Sequence, residues 1–291
     1  MKVESRNVPE FTRIRIDTPA PHVFRITLAR PARRNAQDYQ MLYEFDDALK
    51  AAGLDDEIRV VILAADGPDF SSGHDLKAGS WETPPTGPRV HFRRGGEQVA
   101  VDVHMNLELE AFVGLSLRWR DFPKPTIAQV QGRCIAGGLA LVWPCDIVIA
   151  GETASFRDPT VDFGFNGQEY FTHVWEVGPR TAKEMLFTGD AISAADAKAL
   201  GMVNHVVPDA ELEARTLDLA TRIARKPLFA LQLAKMAVNQ TLDIQGQTTA
   251  LRNAFNLHHV GHAHNMHRYG EIVPPGSADS MKANIKAQSR K

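Results

Sequence analysis

The sequence is short of cysteine, of net charge and of long apolar runs. It has two cysteines in 291 residues, Cys134 and Cys145. Both sit among apolar neighbours, which fits buried free thiols in a reducing compartment better than a disulfide. Lys and Arg number 33 and Asp and Glu 35, a formal net charge of -2. Such a balance offers no basic surface for nucleic acid or an anionic membrane. The most apolar stretch, Ile135 to Val142, is interrupted by glycines and closed by Pro144. It falls well short of the roughly 20 residues that span a bilayer, so no transmembrane helix is expected. The opening MKVESRNVPEF lacks a signal-peptide core, and a cytoplasmic protein is the expectation. No internal repeat is visible. No G-x-G-x-x-G opens a helix after the first strand, which argues against a dinucleotide-binding enzyme.

What the chain does have is a hydrophobic content of 44%. That is enough for one large domain, or for one domain with a helical appendage. Its centre is Lys124 to Ala150, read as strand, tight turn, short buried helix and strand. Ile127, Ala128 and Val130 form the first apolar run, and Gly132 breaks it. Gly137-Gly138 then precedes Leu139-Ala140-Leu141-Val142, which is apolar on every side, as in a helix buried all round. A glycine pair at a helix start lets a ligand approach the backbone, and the free N–H groups suit an anion. That anion can be a permanent phosphate or a reaction oxyanion.

Upstream, Arg13–Ile16 and His22–Leu28 alternate as half-buried strands joined at Pro19-Ala20-Pro21. Gln37–Ala52 has helical spacing and Gly53 is expected to end it. Ile58–Ala64 is nearly all apolar, the mark of a strand buried on both faces. Strand, helix and strand in this order point to an α/β unit. A glycine-punctuated loop, Asp66 to Leu76, follows the buried strand, where α/β sheets favour ligand sites. Residues 79–98 show no period and read as a long loop, a candidate lid. Val99–Trp119 is helical. Pro179–Phe187 is a helix with Pro179 in its first turn. Ser193 and Asp196 resemble a capping box for a helix to Leu200. Asp209 is expected to cap a helix to Arg225, Pro227 opens the next, and Gly246–Tyr269 is the last. The polar tail after Pro274 is expected to be disordered.

The two loops Phe70-Ser71-Ser72-Gly73-His74-Asp75-Leu76 and Gln131-Gly132 … Ala136-Gly137-Gly138 … Cys145-Asp146, in that order, resemble the crotonase superfamily, also called the enoyl-CoA hydratase/isomerase family. Arg30-Pro31-Ala32-Arg33-Arg34-Asn35-Ala36 is similar to its first CoA-binding loop. Phe156-Arg157-Asp158-Pro159 with Val161–Gly164 resembles its second active-site segment, and Leu186–Asp190 with Val203 and Val206–Pro208 its C-terminal signature. The resemblance implies an α/β fold, a spiral of ββα units over residues 1–200. A helical trimerisation region, 201–291, would follow. It implies an acyl-CoA substrate, no cofactor beyond the CoA moiety of that substrate, and a homotrimer or dimer of trimers. Carried over, the backbone N–H groups of His74 and Gly137 bind the thioester oxygen. Two preset amides suit an enolate because they need little reorganisation. The CoA moiety would lie against Arg33, Arg34 and Ala36 and against Ser72, Asp75 and Leu76, with the two arginines available to its phosphates.

The sequence departs from the hydratase pattern at both carboxylates. The first glutamate would fall where Ala140 stands and the second where Thr160 stands. Asp162 and Glu169 are the candidate replacements: Asp162 because it shares a side with Thr160 if that segment is extended, Glu169 because some dienoyl-CoA isomerases place an acid nearby. Tyr170 and His173 follow, expected on one helix with Glu169, and the His74 imidazole stands beside its own amide. His104 and Glu108, at i and i+4, read as core or solvent contacts. His258–His267 holds five histidines, but no nearby Glu or Cys completes a ligand set, so no metal is expected. Trp81, Phe92 and Trp119 are candidate acyl-pocket aromatics. Hydration, isomerisation, decarboxylation, thioester or C–C hydrolysis and a non-catalytic acyl-CoA-binding protein all stay open.

Overall fold

The computed structural model describes residues 10–76 and 101–288. The candidate lid 79–98, with Trp81 and Phe92, lies outside the described residues. The strands, in chain order, are β1 (Ile14–Ala20), β2 (Val23–Leu28), β3 (Val60–Ala65), β4 (Thr126–Val130), β5 (Arg133–Ile135), β6 (Ile147–Gly151), β7 (Ser155–Arg157), β8 (Ile192–Ser193) and β9 (His205–Val207). One six-stranded sheet has the order β1-β2-β3-β4-β6-β9, with β1 antiparallel to β2 and the other pairs parallel. A second, three-stranded sheet has the order β5-β7-β8.

β3 is buried on both faces because successive side chains point to opposite sides of the sheet. Val60, Ile62 and Ala64 face one cluster with Ile127, Ile149, Leu212 and Ala220. Val61 and Leu63 face the larger core with Ile26, Leu28, Met41, Phe45 and Leu139.

The helices are α1 (Tyr39–Leu54), α2 (Val101–Glu108), α3 (Leu115–Arg120), α4 (Gly137–Val142), α5 (His173–Thr188), α6 (Ala194–Ala199), α7 (Leu212–Ala224), α8 (Leu228–Ile244), α9 (Gln247–Tyr269) and α10 (Ser277–Gln288). α1 starts where Asp38 accepts the Met41 N–H at 2.9 Å, an N-cap that satisfies an otherwise orphaned donor. α4 is buried along its whole length, as its sequence requires. The Ser193–Asp196 cap of α6 forms as expected.

Four readings are corrected. Gly53 lies inside α1, not after it; a Cβ there would stand 3.1 Å from the Phe122 ring, so close packing holds that position. Val99–Trp119 is not one α-helix: a π-helical turn, Leu109–Gly114, separates α2 from α3. Asp209 does not cap its helix; its carboxylate accepts from Thr153. The tail is helical as α10, which packs against a 3₁₀ helix, Thr160–Phe163. Pro179 does open a helical run, because Gly178 breaks α5 with φ 75 and ψ 162. Among the described residues no helix is long and apolar enough to cross a membrane.

Candidate active site

Two loops meet at the head of α4, and Gln37 knits them together. Its N–H donates to Gly73 O at 2.8 Å and its O accepts from Asp75 N at 2.7 Å. Its side-chain amide donates to Gly137 O at 2.8 Å. A Cβ on Gly73 would stand 2.8 Å from Ile135 O, and one on Gly137 would stand 2.4 Å from His74 Cδ2. Glycine at both positions therefore permits the close approach. Ala136 makes the turn with φ 46 and donates its N–H to Arg157 O at 2.9 Å. As the first residue of α4, Gly137 has no acceptor for its amide within the helix. The structure thus brings His74 and Gly137 together. Ala140, buried farther along α4, presents only a methyl group.

The His74 ring stacks on Phe112, with centroids 4.1 Å apart. Burial pushes its imidazole down to about 4, so it is neutral at neutral pH. Its Nδ1 lies 3.8 Å from Glu169 Oε1. Glu169 is only 6% exposed, and its Oε2 has no hydrogen-bond partner. Burial pushes this carboxyl up to about 7; nearby His258 opposes the shift and Glu108 adds to it.

Asp158 holds the loop that carries Glu169. It is fully buried and accepts from Thr160 N and Oγ1, from Gln168 N at 2.8 Å and from His173 Nε2 at 2.7 Å. These bonds, led by that to His173, keep its carboxyl below the ordinary range despite burial. Tyr170 and His173 do not share a helix with Glu169, since α5 begins only at His173. Tyr170 is buried and lines a pocket of about 390 Å³ with Trp143, Cys145 and Lys235, whose lining includes neither His74 nor Glu169. Asp162 is not on an extended segment: it sits on the 3₁₀ helix. Its charge acts on Arg157 and its carboxylate faces Gly189. Glu169, and not Asp162, reaches the His74 loop.

The loop of residues 30–36 joins the same wall. Ser72 N donates to Arg34 O at 2.9 Å. Asp75 accepts from Arg30 and Arg33 at 3.1 and 2.9 Å, so the Arg33 charge is already matched. Arg34 is 62% exposed in its side chain and stands 3.9 Å from Asp69. Ala36 is buried, while Leu76 is exposed. Trp119 belongs to the core, donating to Asp46 at 3.1 Å.

Sequence reasoning missed a second cluster behind Glu169. α2 packs on α9 and sets Glu108 among its histidines. Glu108 Oε1 lies 2.7 Å from His104 Nε2. Its Oε2 lies 3.1 Å from His259 Nε2, 3.5 Å from His262 Nε2 and 3.8 Å from His258 Nε2. His258 Nε2 is also 3.8 Å from Glu169 Oε1. The expectation that no carboxylate joins these histidines is overturned, because Glu108 and Glu169 both do. The signal was two i, i+4 pairs, His104/Glu108 and His258/His262, but nothing local says that their helices pack.

The sequence model of the family described as enoyl-CoA hydratase/isomerase matches residues 20–92 and 90–275. The chain belongs to this family. It is 43% identical to a putative enoyl-CoA hydratase of Mycobacterium tuberculosis over 92% of this chain and 85% of the relative. The human mitochondrial enoyl-CoA hydratase domain-containing protein 3 is 34% identical over 71% of this chain, which spans 63% of that relative. A crystal structure of a probable enoyl-CoA hydratase from Mycobacterium smegmatis matches with TM-score 0.82 and 44% identity, over 90% of this chain and 98% of that one. An enoyl-CoA hydratase/isomerase from Xanthobacter autotrophicus matches with TM-score 0.78 and 32% identity, over 97% and 99%. The fold is therefore that of the enoyl-CoA hydratase/isomerase family, a mixed α/β architecture, and the chain is an acyl-CoA-processing member.

Proposed function

We propose that the chain is an enoyl-CoA isomerase. In this reading the backbone N–H groups of His74 and Gly137 hold the thioester oxygen, and Glu169 moves the proton. The observation that carries the reading is Glu169 itself: a buried carboxylate whose Oε2 has no hydrogen-bond partner and whose Oε1 lies 3.8 Å from His74 Nδ1. A base there removes the α-proton of a 3-enoyl thioester. The electron pair moves onto the carbonyl oxygen as a dienolate, which two preset amides stabilise. Return of the proton to the γ-carbon gives the 2-enoyl thioester and frees the carboxylate. One carboxylate completes this cycle, whereas addition of water calls for one group to position water and another to supply the proton.

Ala140 and Thr160, at the positions where hydratases carry their glutamates, count against hydration. Thr160 counts equally against isomerases that rely on the second glutamate, so in this reading the proton falls to Glu169. The Thr160 hydroxyl is in any case turned into Asp158. The exposed Arg34 and the wall formed by Ser72, Asp75 and Leu76 supply the CoA-binding surface in this reading. Homo-oligomerisation is supported by α8, which has no buried residue in the single chain and exposes Phe229, Leu233, Met236 and Val238. Apolar surface of this kind is a protein–protein signature.

The test is turnover of 3-enoyl-CoA and 2-enoyl-CoA substrates, with deuterium wash-in from D2O at the α- and γ-carbons. Conversion of 3-enoyl to 2-enoyl thioester with wash-in, abolished by Glu169→Gln, is the expected result. Hydration at a rate that survives Glu169→Gln, or acyl-CoA binding with no turnover of any thioester, would overturn it.

A further inference from the structure

Behind the site just described, the chain gathers more metal-ligating side chains than proton transfer requires. We infer that His104, Glu108 and His262 bind a divalent first-row transition ion. Their donor atoms all lie within 4.8 Å of one another. Ligands about 2.1 Å from one ion stand roughly 3–4 Å apart, so small rotamer changes close the set. Two imidazoles and one carboxylate select transition ions such as Zn²⁺ over Mg²⁺ or Ca²⁺, which prefer oxygen.

The second observation is the set of polar atoms left over. Glu108 Oε2 and both ring nitrogens of His259 and His262 are buried without a hydrogen-bond partner. Glu108 and His262 are each at least nine-tenths buried. Three histidine Nε2 atoms point at Glu108 Oε2 from 3.1 to 3.8 Å without hydrogen-bond geometry. Buried polar groups are ordinarily satisfied, because an unpaired one costs about 1–3 kcal/mol. A cation seated among these imidazole nitrogens and the Glu108 carboxylate would give the leftover atoms a partner. His104 is 30% exposed in its side chain and offers an entry path from solvent.

Glu108 also belongs to an overlapping set with Glu169 and His258. That set contains one imidazole and consumes Glu169. The His104 set contains two and leaves Glu169 free, so ion binding there stands apart from the isomerase reading.

The experiment needs no substrate. The full-length protein, stripped with chelator, is titrated with ZnCl₂ by calorimetry and with CoCl₂ by visible absorption. Saturable binding of about one ion per chain, with cobalt d–d bands of imidazole ligation, is expected. His104→Ala, Glu108→Gln and His262→Ala should each weaken Zn²⁺ binding more than about 100-fold, beyond the usual cost of losing an outer-shell partner. His264→Ala, His267→Ala and Glu169→Gln should leave it unchanged. Circular dichroism checks that each variant is folded, and the wild-type titration stands even if one is not. Absence of saturable binding in the folded wild type would overturn the inference, leaving a network of His–Glu ion pairs. Loss of binding in Glu169→Gln but not in His104→Ala would overturn the ligand assignment.

Discussion

Glu169 Oε1 stands 3.8 Å from the His74 ring and 3.8 Å from the His258 ring, so one carboxylate joins the His74 loop to the histidines of α9. Replacing it should therefore silence chemistry without unfolding the chain. Glu169→Gln is expected to lower the isomerisation rate by about 10²–10⁴-fold, the span of general acid–base catalysis. Asp162→Asn should stay within a few-fold of wild type. Steady-state rates and thermal melts of both variants check this.

The pH profile should carry the same signature. Burial raises the Glu169 carboxyl to about 7, and the base form is the ionised one. The rate constant kcat/KM should accordingly rise as pH rises through about 7 and level off above it. A flat profile from pH 5 to 9 would exclude Glu169 as the base.

Gly137 has no room for a side chain, since an added Cβ would meet the His74 ring and Gln37 Oε1. Gly137→Ala should push His74 aside and misplace one of the two amides proposed to hold the oxyanion. A loss of about 10²–10³-fold in kcat is expected, because that is the usual cost of losing one such donor. Isomerisation kinetics, together with acyl-CoA affinity from calorimetry, separate this from a binding defect.

Asp158 should matter for stability first. It satisfies Thr160, Gln168 and His173 from a fully buried position. Asp158→Ala strips partners from a buried network and is expected to cost about 3–5 kcal/mol in urea unfolding. Because its folded pKa lies below the ordinary 3.8, its contribution is present above that value. It is lost as pH falls through the lower folded pKa. Acid unfolding below about pH 4 should be shallower in Asp158→Asn than in wild type.

α8 supplies a test of assembly. Leu233→Glu together with Met236→Lys places charge on its exposed apolar face. Light scattering on a sizing column should show a smaller species than wild type.

Local patterns made much of this molecule legible in sequence. β3 announced itself by a continuous apolar run, α4 by apolar residues on every side, and α6 by the Ser193–Asp196 cap. Each depends on neighbours in the chain. Asp162 and Glu169 could not be ranked from sequence, because a 3₁₀ turn at Thr160–Phe163 decides where the first one points. α10 was hidden by its polar composition, and its contacts are with that same turn, far off in the sequence. The Glu108 cluster was out of reach because it depends on two distant helices, α2 and α9, meeting face to face, and no local rule covers such a meeting. Gly53 shows the same limit on a smaller scale, since its packing on Phe122 overrides a helix-stop signal.

The π-helical turn at Leu109–Gly114 works as a phase lock. Glu108, just before it, must face α9, and Phe112, inside it, must lie under the His74 ring. An α-helix advances about 100° per residue, and the wider turn absorbs one extra residue without swinging either side chain out of line. Deleting a single residue there would restore regular winding and leave the chain able to keep Glu108 or Phe112 in place, but not both. The His74 loop and the histidine cluster are in this way geared to one another through six residues of widened helix.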